Sequence, residues 1–409
     1  MRNSKLDLQR RLQEHSSILT MGIGAVSMYA SNIYLKEFLT ETDFGLFSLL
    51  ITYFAILNSF GLLGLEQTFM RFSKIDDRSE IIISVTLRNK IIGALIILFI
   101  VSFFISEFHF FNSFYYGLIC TLSITLSMLA YNVLRIKKLY HSSQLLLNSW
   151  RLLLGVLVAV ILIFKTQIDY EFLLHVLSNG LLVILVLSSF ILIRKIKIEN
   201  DHSNKSYFDK KEFFATIYFM MILSSGSFIA IADRLFVDHY FSKVDFGNYV
   251  YYSVLILYPF NFLQNYLGFK FLVAFKHNKK IKSLAQKFTK NLIWISIGFA
   301  ILIYLLNLLV NKIFDNDFFN YQLLTLILIA TGIVKLFYSV YSSIIGSHAQ
   351  IKTLKSINIL FLLITLISVS ILFLIPIRQM ELIAFIFLIL WLLRLIIWNA
   401  FSVKLSEYR

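Results

Sequence analysis

Charge is scarce in this chain. Of its 409 residues only 15% are Asp, Glu, Lys or Arg, while 58% are hydrophobic; a soluble domain carries about a quarter charged. That balance excludes an ordinary globular interior under a hydrated shell, because so much apolar side chain would leave large exposed patches. Proline is nearly absent, with only Pro259 and Pro376. One cysteine, Cys120, excludes any intrachain disulfide and reads as a small buried hydrophobe. There is no Gly-x4-Gly-Lys-Ser/Thr loop, which excludes ATP hydrolysis by that route. The eight His residues are scattered, with no His-Glu-x-x-His pattern and no Cys cluster, so neither a metal site nor a catalytic constellation is visible. Gly22-Ile-Gly24 lies inside an apolar run and is not a dinucleotide fingerprint.

The charge that remains is informative. The formal net charge is +15, yet the basic residues fall in short clusters between apolar runs. Nucleic-acid binding would gather them on one face; this spacing follows the positive-inside rule of membrane proteins. A hydrocarbon core of about 30 Å needs roughly 20 apolar residues as a helix. Twelve such runs are present, at about 17–38, 44–66, 85–106, 113–135, 143–165, 170–194, 213–240, 246–269, 285–310, 320–345, 353–376 and 380–402. They show no period-two alternation, which favours helices over a β-barrel.

With the N-terminus in the cytoplasm and the loops alternating, inner segments hold 29 of the 38 Lys and Arg residues. Outer segments hold five and spans hold four: Arg151, Arg234, Lys335 and Arg394. The bias places both termini on the cytoplasmic side, and an odd number of crossings would scramble it. Arg10 and Arg11 before an apolar stretch imitate a signal peptide, but the first span has a later counterpart and is read as a retained helix.

That counterpart belongs to an internal repeat offset by 202 residues. Thr42-Asp43-Phe44-Gly45-Leu46-Phe47 aligns with Val244-Asp245-Phe246-Gly247-Asn248-Tyr249, and without gaps Gly24 meets Gly226, Ala30 meets Ala232, and Lys74 meets Lys276. A long polar stretch sits at the midpoint. The expected division is a six-helix lobe at 1–198, a cytoplasmic linker at 199–212 and a second six-helix lobe at 213–409. Because six is even, the lobes are parallel repeats, an arrangement that carriers use for alternating access with substrate between the halves. In the repeated loop, Asp43 and Asp245 are expected to cap the following helices, and Gly45 and Gly247 to allow a tight entry or close packing.

Thr40-Glu-Thr-Asp-Phe-Gly-Leu-Phe-Ser48, Gly61-Leu-Leu-Gly-Leu-Glu66 and Met70-Arg71-Phe72, with Ala232-Asp233-Arg234 and Asp245-Phe246-Gly247 in the second half, resemble polysaccharide-biosynthesis exporters. These are the Wzx-type O-antigen and capsule flippases of the multidrug/oligosaccharidyl-lipid/polysaccharide (MOP) superfamily. The resemblance implies an all-α polytopic membrane protein of about twelve helices in a V-shaped, MATE-like pair of lobes. It implies a non-enzymatic flippase in the bacterial inner membrane. The cargo would be undecaprenyl-diphosphate-linked oligosaccharide, moved from the cytoplasmic to the periplasmic leaflet. It implies no cofactor and leaves open proton or sodium coupling, and a polymerase and chain-length regulator as partners beside membrane lipid. A drug or cation antiporter of the same superfamily remains an alternative. A polysaccharide polymerase is a weaker one, since the longest outer loop is only about ten residues.

A diphosphate cargo needs cations in a polar cavity, and Arg suits phosphate by its fork of donors. Charges at membrane depth face a cavity or each other. The cavity candidates are therefore Asp233 and Arg234, with their repeat partners Ser31 and Asn32, together with Lys335, Arg151 and Arg394. Glu66 and Arg71, at the inner end of the second span, are read as a structural or gating pair.

Overall fold

In bilayer hydrocarbon no water can satisfy a bare backbone group, so a spanning segment must close its hydrogen bonds within itself. The computed structural model describes residues 2–62, 65, 69, 74–75, 81–106, 111, 113–137, 139–164, 168–199, 228–277, 281–314, 319–349, 351–374, 377 and 379–407. Twelve helices hold nearly all of them. They are α1 (Arg2–Phe38), α2 (Glu41–Phe60), α3 (Val85–Ser106), α4 (Phe114–Ile136), α5 (Tyr140–Phe164), α6 (Tyr170–Lys195), α7 (228–240), α8 (Lys243–His277), α9 (Ile281–Ile313), α10 (Gln322–His348), α11 (Ile351–Leu374) and α12 (Met380–Glu407). Eight of these, α2, α4–α6 and α9–α12, are long and apolar enough to cross a membrane on their described residues. The fold class expected from the sequence is the one observed: an all-α, multi-pass membrane protein.

The outer faces are dressed for lipid. Ile193 is 82% exposed, Leu374 81% and Ile163 74%, values that water would penalise by about 25 cal/mol per Å² of apolar surface. In α1 and α8 the apolar runs are interrupted by polar side chains that are themselves buried, among them Ser31, Asn32 and Ser253.

The chain forms two compact units, Met1–Ser224 and Ser225–Arg409, and each holds six of the helices. In the first unit α4 is enclosed, packing on α2, α3, α5 and α6. Its Ser123 hydroxyl donates to the Leu181 carbonyl of α6 at 2.8 Å, and Tyr53 of α2 meets Thr121 at 2.6 Å. In the second unit α10 holds the equivalent place, packing on α8, α9 and α12. The fourth helix is thus the enclosed member of both sets.

Close approach between helices depends on small residues. A β-carbon on Gly155 of α5 would lie 2.6 Å from Ser27 Oγ of α1, and one on Gly24 would lie 2.8 Å from the Asn148 β-carbon. On α10, a β-carbon at Gly332 would fall 2.4 Å from the ring of Phe260, which is fully buried in α8.

Two details differ from the sequence reading. A small three-stranded sheet is present, in the order β1 (Lys74–Ile75), β2 (Ile81–Ser84) and β3 (Ile196–Glu199). β1 and β2 are antiparallel; β2 and β3 are parallel, with Ile81 opposite Ile196. The strands come from two stretches read as polar inner loops, and their pairing sets the start of α3 beside the end of α6. Four helices, an even number, separate those ends along the chain, as alternating crossings require. The sequence hid the sheet because β2 runs straight into an apolar helix and reads as its first turn.

The second difference is a correction to the capping assignment. The caps are Thr40 and Ser242, three residues before Asp43 and Asp245. Thr40 Oγ1 accepts from the Asp43 N–H at 3.1 Å, and Ser242 Oγ accepts from the Asp245 N–H at 3.1 Å. Asp245, at the third helical position, in turn accepts from the Ser242 hydroxyl at 2.7 Å, which holds the cap side chain in place. Gly45 and Gly247 are helical and buried beside Phe44 and Phe246, so they serve packing and not a turn. Glu66, Arg71 and the linker from residue 200 onward lie outside the described residues.

Gly332→Ala should lower stability by about 1–3 kcal/mol, since the buried Phe260 ring has nowhere to move. Gly298→Ala on α9, where nothing lies within 4 Å, should be neutral or stabilise by up to about 1 kcal/mol. Thermal unfolding of the two purified variants in detergent measures both.

Candidate functional site: a buried cationic cluster in the second unit

α7, α8, α10 and α12 bring four of the sequence-predicted residues into one unit: Asp233, Arg234, Lys335 and Arg394. Asp233 is buried on α7, and its Oδ2 accepts a hydrogen bond of 2.8 Å from Tyr249 Oη on α8. Its other oxygen, and the Arg234 Nε, have no hydrogen-bond partner among the described residues. Lys335 lies at the middle of α10 and is buried, so its ammonium cannot reach an interface. It donates to Asn261 Oδ1 of α8 at 3.1 Å and sits 4.7 Å from the centre of the Trp391 ring of α12. Lys335 feels the charges of Asp233, Arg234 and Arg394, yet Asp233 forms no ion pair within 4.0 Å among the described residues. An ion pair does close at the α7–α8 corner, between Lys243 and Asp238.

Arg394 has a different setting. Its guanidinium carbon lies 4.8 Å from the Tyr338 ring centre, 4.9 Å from Trp398, 5.1 Å from Phe361 and 5.4 Å from Trp391. Four aromatic rings thus cage one buried cation. Cation–π contacts in a desolvated site contribute about 2 kcal/mol each, and a weakly hydrated planar guanidinium is the cation best fitted to them. The cage directs Arg394 into the bundle. Trp391 is shared, with Lys335 and Arg394 both within reach of its ring.

Between Asp233, Tyr249, Thr331, Lys335 and Trp391 lies a cavity of about 10 Å³, room for one water. In this conformation the cluster is closed, and admitting a phosphate requires that its helices part.

The remaining candidates are in the first unit. Ser31 and Asn32 are fully buried on α1. Arg151 on α5 donates from Nη1 to Asn148 Oδ1 at 2.7 Å and lies 5.1 Å from the Trp150 ring centre. Asn148 is the residue that abuts Gly24 of α1, so Arg151 is held near the α1–α5 contact.

The sequence reading missed Tyr249 and Asn261. Tyr249, Tyr251 and Tyr252 are fully buried. The repeat held a usable signal: Tyr249 gains a hydroxyl over its partner Phe47 where Asp233 gains a carboxylate over Ser31, and the two new groups bond each other. Further polar partners run outward from there. Tyr252 Oη reaches Asn311 Oδ1 at 3.3 Å, and Asn311 Nδ2 donates to Asn307 Oδ1 at 2.8 Å.

Arg394→Ala should reduce stability by about 2 kcal/mol or more through loss of the cage contacts, with Arg394→Lys between it and the wild type. Thermal unfolding in detergent orders the three proteins.

No family model matches the sequence, and no curated protein matches it. Among solved structures, the chain is similar to an outward-facing conformation of a multidrug resistance MATE family transporter of the MOP superfamily. The TM-score is 0.57 at 12% identity, over 96% of this chain and 94% of that one. At that identity the likeness is one of fold: the protein has the fold of a MOP-superfamily transporter.

Proposed function

We propose that this protein is a carrier of lipid-linked oligosaccharide, passing an undecaprenyl-diphosphate-linked unit from the cytoplasmic to the periplasmic leaflet of a bacterial inner membrane. The supporting observation is the sign of the charge inside the second unit. Among the described residues of the cluster, three cations, Arg234, Lys335 and Arg394, accompany one carboxylate, Asp233. Burying that excess in a low dielectric is expensive without an anion to meet it. A diphosphate supplies one. Arg234, whose Nε has no hydrogen-bond partner among the described residues, and Lys335, whose partners among them are an amide and a ring, are the groups placed to turn toward it. Arg394 holds the Trp391 platform on which Lys335 rests. Asp233, bonded to Tyr249, limits the attraction so that the cargo can leave.

Alternating access follows from the paired six-helix sets, in which parting of α7, α8, α10 and α12 would open the closed cluster. A second reading, exchange of a drug or cation against protons or sodium, draws on the name of the structural neighbour. A cationic cargo would meet a net repulsive lining here, which favours the first reading.

A deletion strain distinguishes them. Loss of surface polysaccharide with accumulation of cytoplasm-facing lipid-linked units is the expected outcome; drug sensitivity with normal polysaccharide would reject it. Arg234→Ala and Lys335→Ala should each reduce export by about tenfold or more, as expected for losing a charge-assisted phosphate contact, while the protein still inserts. Full export by both variants would remove the cluster from the mechanism.

A further inference from the structure

A second feature of the Ser225–Arg409 unit lies apart from the cationic cluster. A groove of about 370 Å³ opens where α9 begins and α10 and α12 approach their ends. Lys282, Gln286 and Lys290 line it from α9. Their spacing of four residues puts them on one helix face. Asn399 and Ser402 of α12 face them, and no carboxylate lines the groove among the described residues. Ile293 on α9 and Ile344 on α10 add apolar wall, and Thr289 and Tyr341 also line it. Exposed Trp294 follows one turn after Lys290, the order of residues that marks the boundary between headgroups and hydrocarbon.

The geometry points to a binding site for an anionic glycerophospholipid, with its phosphate on Lys282 and Lys290 and one acyl chain along Ile293 and Ile344. Three observations carry this. The volume is in the range of ligand sites. The lining offers ammonium and amide groups together with isoleucine side chains in one groove, as a headgroup with its acyl chain requires. The charge is of one sign, at the end of the unit where seven of the chain's basic residues fall between 270 and 290. Basic pockets between helices at such a boundary select anionic headgroups. The site does not depend on what the protein transports. Because α9, α10 and α12 all wall it, a bound lipid would bridge the helix that carries Lys335 to the one that carries Arg394.

The test uses the purified full-length protein, delipidated in detergent, with native mass spectrometry of added phosphatidylglycerol or phosphatidylcholine of equal chain length. Wild type should retain phosphatidylglycerol preferentially. Lys282→Gln/Lys290→Gln should retain it roughly thirtyfold more weakly, about fivefold per lysine. Ile344→Trp, which fills the apolar end and keeps both lysines, should also weaken retention. It carries the test if the double variant does not fold. Equal retention of the two lipids, or unchanged retention in the variants, overturns the proposal. Displacement of phosphatidylglycerol by inorganic phosphate would assign the site to a free anion and overturn it as well. Displacement by an isoprenoid-linked diphosphate sugar alone would make the groove a cargo site, with the same consequence.

Discussion

A charge enclosed by helices in hydrocarbon is stable only if the same bundle supplies its partners, and the second unit is organised around that requirement. The cavity beside Lys335 has room for one water at most, so an amide from α8 and an indole from α12 take the place of bulk solvent. Arg394 recruits four rings from three helices. Asp233 takes a phenol. Asn261, Trp391, Tyr338, Phe361 and Tyr249 each serve a charge on another helix, while Trp391 and Trp398 also flank Arg394 along α12 itself, so the charges help fix how α7, α8, α10 and α12 sit against one another. Fold and site share one set of contacts here. The first unit meets its structural needs differently, with glycine against serine and asparagine at the α1–α5 contact and hydroxyl bonds around α4.

Much of this architecture was legible in the sequence because lipid imposes a coarse rule that the eye can apply. Runs of about 20 apolar residues become helices, and each of the twelve expected runs holds an observed helix, with 213–227 of the seventh outside the described residues. Intramembrane charges stand out against an apolar background, so Asp233, Arg234, Lys335 and Arg394 could be picked before any coordinates existed. What could not be read is the set of neutral neighbours. Phe361, Trp391 and Trp398 look like any lipid-facing aromatic until the helices are assembled, since the sequence carries no record of which face meets which helix. Asn261 and Tyr249 were obscure for the same reason. The capping assignment slipped by three residues because an acid and a hydroxyl in one loop both suit an N-cap, and only the backbone shows which one stands first.

The likeness to a MATE-family structure at 12% identity is consistent with how such a fold is specified. Lipid-facing positions accept almost any large apolar residue, so sequence drifts there without consequence for architecture. The specific contacts in this chain are sparse: small residues where helices touch, caps at short corners, and polar groups with partners. The charges of the cluster are of the last kind.

The caged cation has a consequence for observation. Trp391 and Trp398 both face the Arg394 guanidinium, and Trp150 faces that of Arg151; only Trp294, of the chain's four tryptophans, stands outward. Indole emission is sensitive to a nearby positive charge. The arginine contacts lie within single helices and set a constant background, whereas the Lys335 ammonium reaches Trp391 from another helix, which gives the unlabelled molecule a built-in optical gauge of whether α10 and α12 are together or apart.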